Sequence, residues 1–438
     1  MVRVVTSAGL LALVTLASAC SRDFVLEGER FALRAPFDES AGEAPVNRAA
    51  PIALPATSVN AEWTHRLGSP STRIAHPALA GSLQPVWSAP IGQGEGRRHR
   101  ITAEPVAAGG VIYTLDSRAR VSATSTSGDT VWSRDLTPAF ARSPDAASGG
   151  GLAIADGKLF VTSAFGMLHA LDLGTGAEIW SKRFDAALSA APTVAGRHVY
   201  VVASDSTAWA IDATSGQTDW QLNGAPSPSS MIGGAAPAVA GDLVLFPTPA
   251  GELIAARRDT GQIMWRRAVA GTRLGVAYAS VTDVTGDPVV QGDVVYVGNQ
   301  SGRVMALSRS DGRPIWTATE AAYGPVWPVG GSIFMLSDRN RLLRLDAASG
   351  DVIWGQDLPL FTETRERRRA AIYPHYGPTL AGGQLIVGSG DGVLRRFDPV
   401  SGASTGETPL RSGAAVAPIV VGGTLYVVSR DGQLMAFR

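Results

Sequence analysis

Beyond about residue 83 the apolar positions of the chain fall into a pattern that repeats. The clearest unit reads Ala170-Leu171-Asp172-Leu173-Gly174-Thr175-Gly176-Ala177-Glu178-Ile179-Trp180: a small residue, a polar residue two later, Gly after four more and Trp after another four. The same spacing returns as Ala210, Asp212, Gly216, Trp220, as Ala255, Arg257, Gly261, Trp265, and as Ala306, Ser308, Gly312, Trp316. Weaker copies are Ser122, Thr124, Gly128, Trp132 and Arg344, Asp346, Gly350, Trp354. A seventh keeps Asp398 and Gly402 but has Gly406 in the tryptophan position. Successive tryptophans of the series lie 38 to 51 residues apart, enough chain for one supersecondary unit in each period.

Each period divides the same way. Ala191-Pro192-Thr193-Val194-Ala195 predicts a short strand and Gly196-Arg197 a turn. His198-Val199-Tyr200-Val201-Val202-Ala203 predicts a second strand, residues 208–213 a third, and Thr214-Ser215-Gly216 the turn into a fourth strand holding Trp220. The second strands, such as Val294-Val295-Tyr296-Val297 and Leu425-Tyr426-Val427-Val428, are continuous rather than alternating apolar runs. A strand of that kind is covered on both faces. Four-stranded sheets stacked face to face, one for each period, are the blades of an all-β propeller.

The last unit supplies strands at 417–420, 424–429 and 433–437 and then reaches Arg438, one strand short. Leu83-Gln84-Pro85-Val86-Trp87-Ser88-Ala89-Pro90 has the character of the missing strand, and Trp87 lies 45 residues before Trp132, in step with the series. The pattern therefore predicts an eight-bladed β-propeller over residues 83–438, with four-stranded blades and the last blade closed by this N-terminal strand.

Residues 21–82 break the periodicity. They contain Ala-Pro runs at 43–45 and 50–56 and read as a flexible, partly extended linker, with room for a short helix over 24–37. Ahead of them, Arg3 and a modest apolar stretch from Val4 to Leu16 suit a secretory signal peptide over residues 1–19 and are too short to favour a membrane span. Cys20 is the only cysteine, so no intramolecular disulfide can form. The run Leu16-Ala17-Ser18-Ala19-Cys20 resembles the lipobox of bacterial lipoproteins. That resemblance implies cleavage before Cys20, acyl chains of the palmitate kind on its sulfur and new amino terminus, and, with Ser21 next in line, residence at the outer membrane. Each buried acyl methylene contributes about 0.8 kcal/mol, so two or three chains anchor a protein stably. An ordinary signal peptide cut near Ala19 would instead leave Cys20 as a free thiol.

Composition narrows the function classes. Lys+Arg and Asp+Glu both number 38, so no net field draws the chain to nucleic acid. The six histidines, at 65, 76, 99, 169, 198 and 375, are scattered without the spacing of a metal site, so no metal is expected. The one strong basic cluster is Arg365-Glu366-Arg367-Arg368-Arg369, in a long connection between the sixth and seventh blades. It reads as a solvated loop, or as a surface for an acidic partner or lipid headgroups.

The Ala-x-Asp…Gly…Trp unit resembles the tryptophan-docking motif of propellers of the pyrroloquinoline quinone (PQQ) type. Quinoprotein dehydrogenases share it with the BamB lipoproteins of the outer-membrane β-barrel assembly (BAM) machinery. Residues 253–267, 281–284 and 288–290 look especially like the BamB family. The dehydrogenases resemble one another in a vicinal disulfide on the quinone, in acidic calcium ligands and in an aspartate base. Cys20 alone cannot supply that disulfide, and no acidic cluster within one blade supplies the ligands. The BamB resemblance implies a protein without cofactor or catalysis, in which Trp87, Trp132, Trp180, Trp220, Trp265, Trp316 and Trp354 staple blade to blade. It implies a scaffold at the outer membrane, facing the periplasm, that docks on the POTRA domains of BamA beside the other BAM subunits and helps outer-membrane proteins fold and insert.

The same resemblance puts the partner-binding loops at Ser229-Ser230-Met231-Ile232-Gly233 and at Val281-Thr282-Asp283-Val284-Thr285. Asp283 matches an acidic position of the family. Ile232 stands where the family pattern has Arg, and Thr285 where it has Asp, so an apolar contact through Met231 and Ile232 is expected in place of a charged one. Exposed blade edges would offer unfolded outer-membrane proteins a surface for β-augmentation. A quinoprotein oxidoreductase, or a propeller lipoprotein serving another periplasmic complex, are the alternative readings.

Overall fold

A blade whose second and third strands are apolar on both faces has to be covered by a neighbour on each side. The computed structural model describes residues 47–146, 148–227, 230–271, 273 and 281–438. Over these residues the chain forms eight four-stranded antiparallel sheets. Blade 1 consists of Val106–Ala108, Val111–Leu115, Arg120–Ser125 and Thr130–Asp135. Blades 2 to 7 follow at 150–183, 193–223, 238–268, 289–318, 327–357 and 375–409. Second strands such as His198–Val202 and Thr424–Val428 are buried at every position, whereas the outermost strands, such as Glu178–Arg183, are largely exposed. Cys20, the residues of the signal and of the 24–37 helix, and Ser229 lie outside the described residues.

Blade 8 closes as the repeat predicts. Ile419–Val421, Thr424–Val428 and Gln433–Phe437 take Pro85–Pro90 as the fourth strand, with Trp87 opposite Ala436 and Ala89 opposite Leu434. The eight blades are thus a ring. Each tryptophan of the series sits on the outer strand of its blade and donates its indole N–H to the third-to-fourth-strand turn of the next. Trp132 donates to the Leu173 carbonyl at 3.1 Å, Trp180 to Ala213 at 3.2 Å and Trp220 to Arg258 at 3.1 Å. Trp265 donates to Arg309 at 3.0 Å, Trp316 to Ala347 at 2.9 Å and Trp354 to Pro399 at 3.3 Å. Trp87 carries the series across the closure, donating to Thr126 of blade 1 at 2.9 Å. The glycine of the receiving turn is required twice over. Gly176 has a φ of 70°, and a Cβ there would stand 2.6 Å from the Trp132 ring.

One junction lacks a tryptophan, and the ring shows why. Gly406 of blade 7 would dock on the last turn of blade 8, but at that place there is no turn: Gln84 and Arg438 exchange backbone hydrogen bonds there, at 2.6 and 2.9 Å. Arg396, opposite Gly406 in the sheet, fills the space an indole would take, and its guanidinium donates to the Gly81 carbonyl. Leu79 and Leu83 pack into the apolar cluster of blades 7 and 8 beside this seam.

The flexible linker expected up to residue 82 is corrected by the structure for residues 47–82. This segment is a strap against one end of the ring. Asn60 accepts from Gly422 of blade 8, Trp63 exchanges two bonds with Ala107 of blade 1, and Thr64 accepts from Ile154 of blade 2. His65 Nε2 accepts from Val194 of blade 3, and Pro70 and Ser71 accept from Val239 and Val290 of blades 4 and 5. Arg73 donates to the Pro325 carbonyl at blade 6, and His76 and Pro77 accept from Gly383 and Gly382 of blade 7. In sequence order the strap makes one full circuit of the channel. The physical reason is that the innermost strand of each blade has no sheet neighbour, so its N–H groups need another partner. Trp63 is 1% exposed and lies 6.4 Å from Trp327.

Two predictions follow from the closure and the strap. Deleting residues 83–90 removes the Trp87 staple and bares the edge of Gln433–Phe437. The variant should aggregate or melt at least about 5 °C lower, since it loses the half-buried Trp87 ring together with the buried Leu83 and Ala89, roughly 3–5 kcal/mol in all; an unchanged midpoint would refute closure by this strand. Burial also lowers the His65 pKa from 6.5 to about 4, and protonating Nε2 would further cost the bond it accepts from Val194. The unfolded chain therefore binds a proton that the folded chain refuses between those values, and stability should fall as pH drops through that window, by roughly 3 kcal/mol at most. His65→Gln, whose amide oxygen can accept the same N–H, should flatten that part of a urea-melt pH profile.

A candidate partner-binding face at the channel mouth

The two ends of the ring are chemically different. One carries the first-to-second and third-to-fourth strand turns of each blade, the docked tryptophans and the strap. The other carries the connections between blades, which are longer: 269–288 and 358–374 are the most extended, and 91–105, 136–149 and 224–237 come next. At this second end the channel opens as a cavity of about 660 Å³, with Arg66 and Arg73 of the strap at its floor and Met231, Ile232 and Gly233 on its wall. Arg66 reaches up from the strap and ties three connections together. It bonds to Glu104 at 2.8 Å, to Asp287 at 2.9 Å and to the Gly234 carbonyl at 3.1 Å. Asp287 is buried in this pair, and it also accepts the Ala236 N–H at 2.9 Å.

Both loops singled out from the sequence lie on this end, and the structure brings them together. The Met231 N–H donates to Asp283 Oδ1 at 2.9 Å, and Ser189 Oγ donates to the Met231 carbonyl at 3.2 Å. Ser230 is exposed and Ile232 is 54% exposed, a large apolar side chain presented to solvent. Gly233 turns the loop back at a φ of 74° against Thr102. Asp283 and Thr285, by contrast, are not contact residues on the surface. They are 4% and 5% exposed, and Thr285 Oγ1 donates to the Ala322 carbonyl at 2.6 Å. Asp283 acts from beneath, holding the loop that presents Ile232.

The basic run is exposed throughout, as expected for a solvated loop, with Glu366–Arg368 in a single 3-10 turn and the Arg369 guanidinium 5.1 Å from the Phe361 ring. Three residues that organise the strap were not singled out from the sequence: Arg66, Arg344 and Arg396. Arg344, 2% exposed, donates to the carbonyls of Ala50, Pro51, Pro399 and Val400. A signal for two of them was present. Arg344 and Arg396 occupy the position that is Ala in the clearest repeats, and a large cation at a small-residue position needs acceptors from outside the repeat.

Burial raises the Asp283 pKa, against the bond from Met231. The ionised carboxylate is therefore an unfavourable feature of the fold at neutral pH, and the stability it carries is present at low pH and lost as pH rises through its folded value. Asp283→Asn keeps an oxygen for the Met231 N–H and removes the charge. The variant should equal or exceed the parent in thermal midpoint at about pH 7, and the difference should vanish near pH 4. A variant destabilised at both would mean that the charge itself holds the loop.

Among the described residues no cluster of three His, Cys, Asp or Glu could hold a metal ion. The chain matches the family model described as "Outer membrane protein assembly factor BamB" over residues 117–356 and 365–438. The BamB of Shewanella oneidensis is 27% identical over 356 residues, 80% of this chain and 87% of that protein. The BamB of Yersinia pestis is 24% identical, over 82% of this chain and 91% of its own. Among solved structures, BamB from Moraxella catarrhalis superposes with a TM-score of 0.67 at 21% identity, covering 82% of this chain and all of that one (100%). The quinohemoprotein alcohol dehydrogenase of Comamonas testosteroni gives 0.64 at 16% identity, with 86% and 80% covered. These two structural likenesses are of fold, and the second shows how far the same ring extends beyond one function. Across more than half of its length, the chain belongs to the family of the outer membrane protein assembly factor BamB.

Proposed function

We propose that the chain is a non-enzymatic scaffold subunit of the outer-membrane β-barrel assembly machinery. Acyl chains on Cys20 hold it at the inner leaflet of the outer membrane, facing the periplasm. The end of the ring that bears the blade-to-blade connections docks on the POTRA domains of BamA. The observation that carries this reading, beyond family membership, is the asymmetry of the ring. The strap covers one end, while the other presents the Ile232 loop on a bonded support, next to an open cavity. An exposed apolar side chain on a held loop is the kind of anchor around which a protein interface concentrates its binding energy. It also fits the departure from the family pattern, with Ile232 in an arginine's place.

Affinity purification of the tagged chain from detergent-solubilised envelopes should recover BamA and its companion subunits. Ile232→Asp should lower BamA recovery at least about ten-fold, the effect of one lost apolar anchor. Its thermal midpoint should not move, because the side chain is exposed. Undiminished recovery with the variant would overturn the loop assignment, and a different envelope complex recovered without BamA would overturn the partner. Cys20→Ser should release the chain from the membrane fraction.

A further inference from the structure

The connection 358–374 folds into a finger that stands on the open end between blades 6 and 7. Phe361 and Ile372 form an antiparallel bridge, the Thr362 N–H donates to the Ala371 carbonyl at 3.0 Å, and the Tyr373 N–H donates to the Leu360 carbonyl at 2.9 Å. Asn340 Nδ2 grips both sides of the base, donating to the Pro359 carbonyl at 3.1 Å and to the Tyr373 carbonyl at 2.8 Å. The 3-10 turn Glu366–Arg368 forms the tip. Residues 361–372 are all exposed, so the length of the finger serves no core.

The charge there is one-sided. On the open end, residues 327–418 present Arg339, Arg365, Arg367, Arg368, Arg369 and Arg411, all exposed, against Glu363 and Glu366. Of these six, among the described residues, only Arg369 pairs with a carboxylate, that of Glu366 at 3.8 Å. The other carboxylates of this sector are engaged elsewhere: Asp338 with Arg273, Asp357 with Arg341, and Asp391 and Glu407 with Arg395. Among the cations Phe361 is 39% exposed, with the Arg369 guanidinium 5.1 Å from its ring. Arginines around a surface aromatic suit a membrane–water interface, where the cations meet headgroup phosphates and the ring sits at headgroup level.

The place where the N-terminal chain joins the ring favours a bilayer over an acidic protein. The described residues begin at Asn47, whose side chain exchanges two hydrogen bonds with the backbone of Gly355, at 3.0 and 2.9 Å. Gly355 lies on Val352–Asp357, the outer strand of blade 6, and the finger leaves from the end of that same strand. Cys20, 27 residues before Asn47, is therefore tethered to the ring at the sector that carries the finger. We propose that the finger lies on the anionic phospholipid headgroups of the leaflet in which acylated Cys20 is anchored, with Arg365, Arg367 and Arg368 on the phosphates and Phe361 at the interface. The tether keeps lipid at a high effective concentration, so a contact too weak to hold a free chain still fixes how the ring stands on the membrane. The proposal rests on acylation of Cys20 for that placement, and it leaves the Ile232 loop, between blades 3 and 4, free for its own partner.

The test is flotation of the mature chain with vesicles at low ionic strength, using Cys20→Ser so that no acyl chain contributes. The vesicles are phosphatidylcholine alone, or phosphatidylcholine with about one-third phosphatidylglycerol. Partition onto the anionic vesicles should exceed that onto the neutral ones at least about ten-fold, and should fall steeply as salt is added. Arg365→Gln, Arg367→Gln and Arg368→Gln together should lower it at least about ten-fold without moving the thermal midpoint, because the three side chains are exposed. The matched control neutralises three arginines of the strap end, Arg197→Gln, Arg257→Gln and Arg313→Gln, and should change partition less than about two-fold. A polarity-sensitive fluorophore on Thr364→Cys, in the background without Cys20, should shift to the blue on the anionic vesicles. Equal partition onto the two kinds of vesicle would overturn the proposal, as would equal losses in the two triple variants or an unshifted fluorophore. Such a failure would leave acylation standing, since labelling of the parent chain with radioactive palmitate reads that separately.

Discussion

The interaction on which the ring depends is the indole N–H of one blade donating to the hairpin carbonyl of the next. A four-stranded sheet with two apolar faces is not stable by itself, and stacking alone would leave the angle between neighbours loosely set. The tryptophan does two jobs at once: its ring covers apolar surface at the outer edge, and its N–H, 2.9 to 3.3 Å from a fixed carbonyl, sets where the next blade stands. A glycine at positive φ in the receiving turn follows from this, because any Cβ there would strike the ring. Seven such staples hold eight blades. The junction without one is where the Pro85–Pro90 strand meets the end of the chain, so the turn that would receive an indole is absent there.

A ring creates a second problem that staples do not solve, since every innermost strand borders a channel and lacks a sheet partner on that side. The strap answers this on one end by offering each blade in turn an acceptor or donor. Three arginines fix it to the ring. Arg344 and Arg396 grip its two flanks from blades 6 and 7, and Arg66 reaches from it through the channel to the connections of blades 1, 4 and 5. The strap thus adds to the difference between the two ends, closing over the end that already carries the docked turns.

The blades were legible in the sequence because their constraint is periodic. Strand order, the glycine turns and the closure by Trp87 all follow from a spacing that recurs, and the observed strand Thr207–Asp212 differs from the expected 208–213 by one residue at each end. The strap was not legible because its constraint is not periodic. It meets each of the eight blades with different residues, so residues 47–82, rich in Ala and Pro, looked like a linker. What betrayed it were the exceptions within the repeats, the two arginines at small-residue positions. At the candidate site, resemblance located the loops but not the direction of their side chains. Asp283 and Thr285 are loop residues by spacing and buried supports by geometry, because an Asp in a turn can bond inward to a neighbouring backbone N–H as readily as outward.

The connections at the open end carry the argument one step further. Joining the outer strand of one blade to the inner strand of the next takes only a short crossing, as 319–326 and 410–418 show. Nothing in ring packing requires 224–237, 269–288 or 358–374 to be longer, and nothing in packing explains an isoleucine held out to solvent or five exposed consecutive residues of which four are arginine. Extra length and exposed apolar surface each cost stability or solubility unless something else selects for them. All of this excess lies on one end, the end without the strap. The strap therefore does more than satisfy the inner strands: by occupying one mouth of the channel it leaves the other end, with its long connections and its cavity, open.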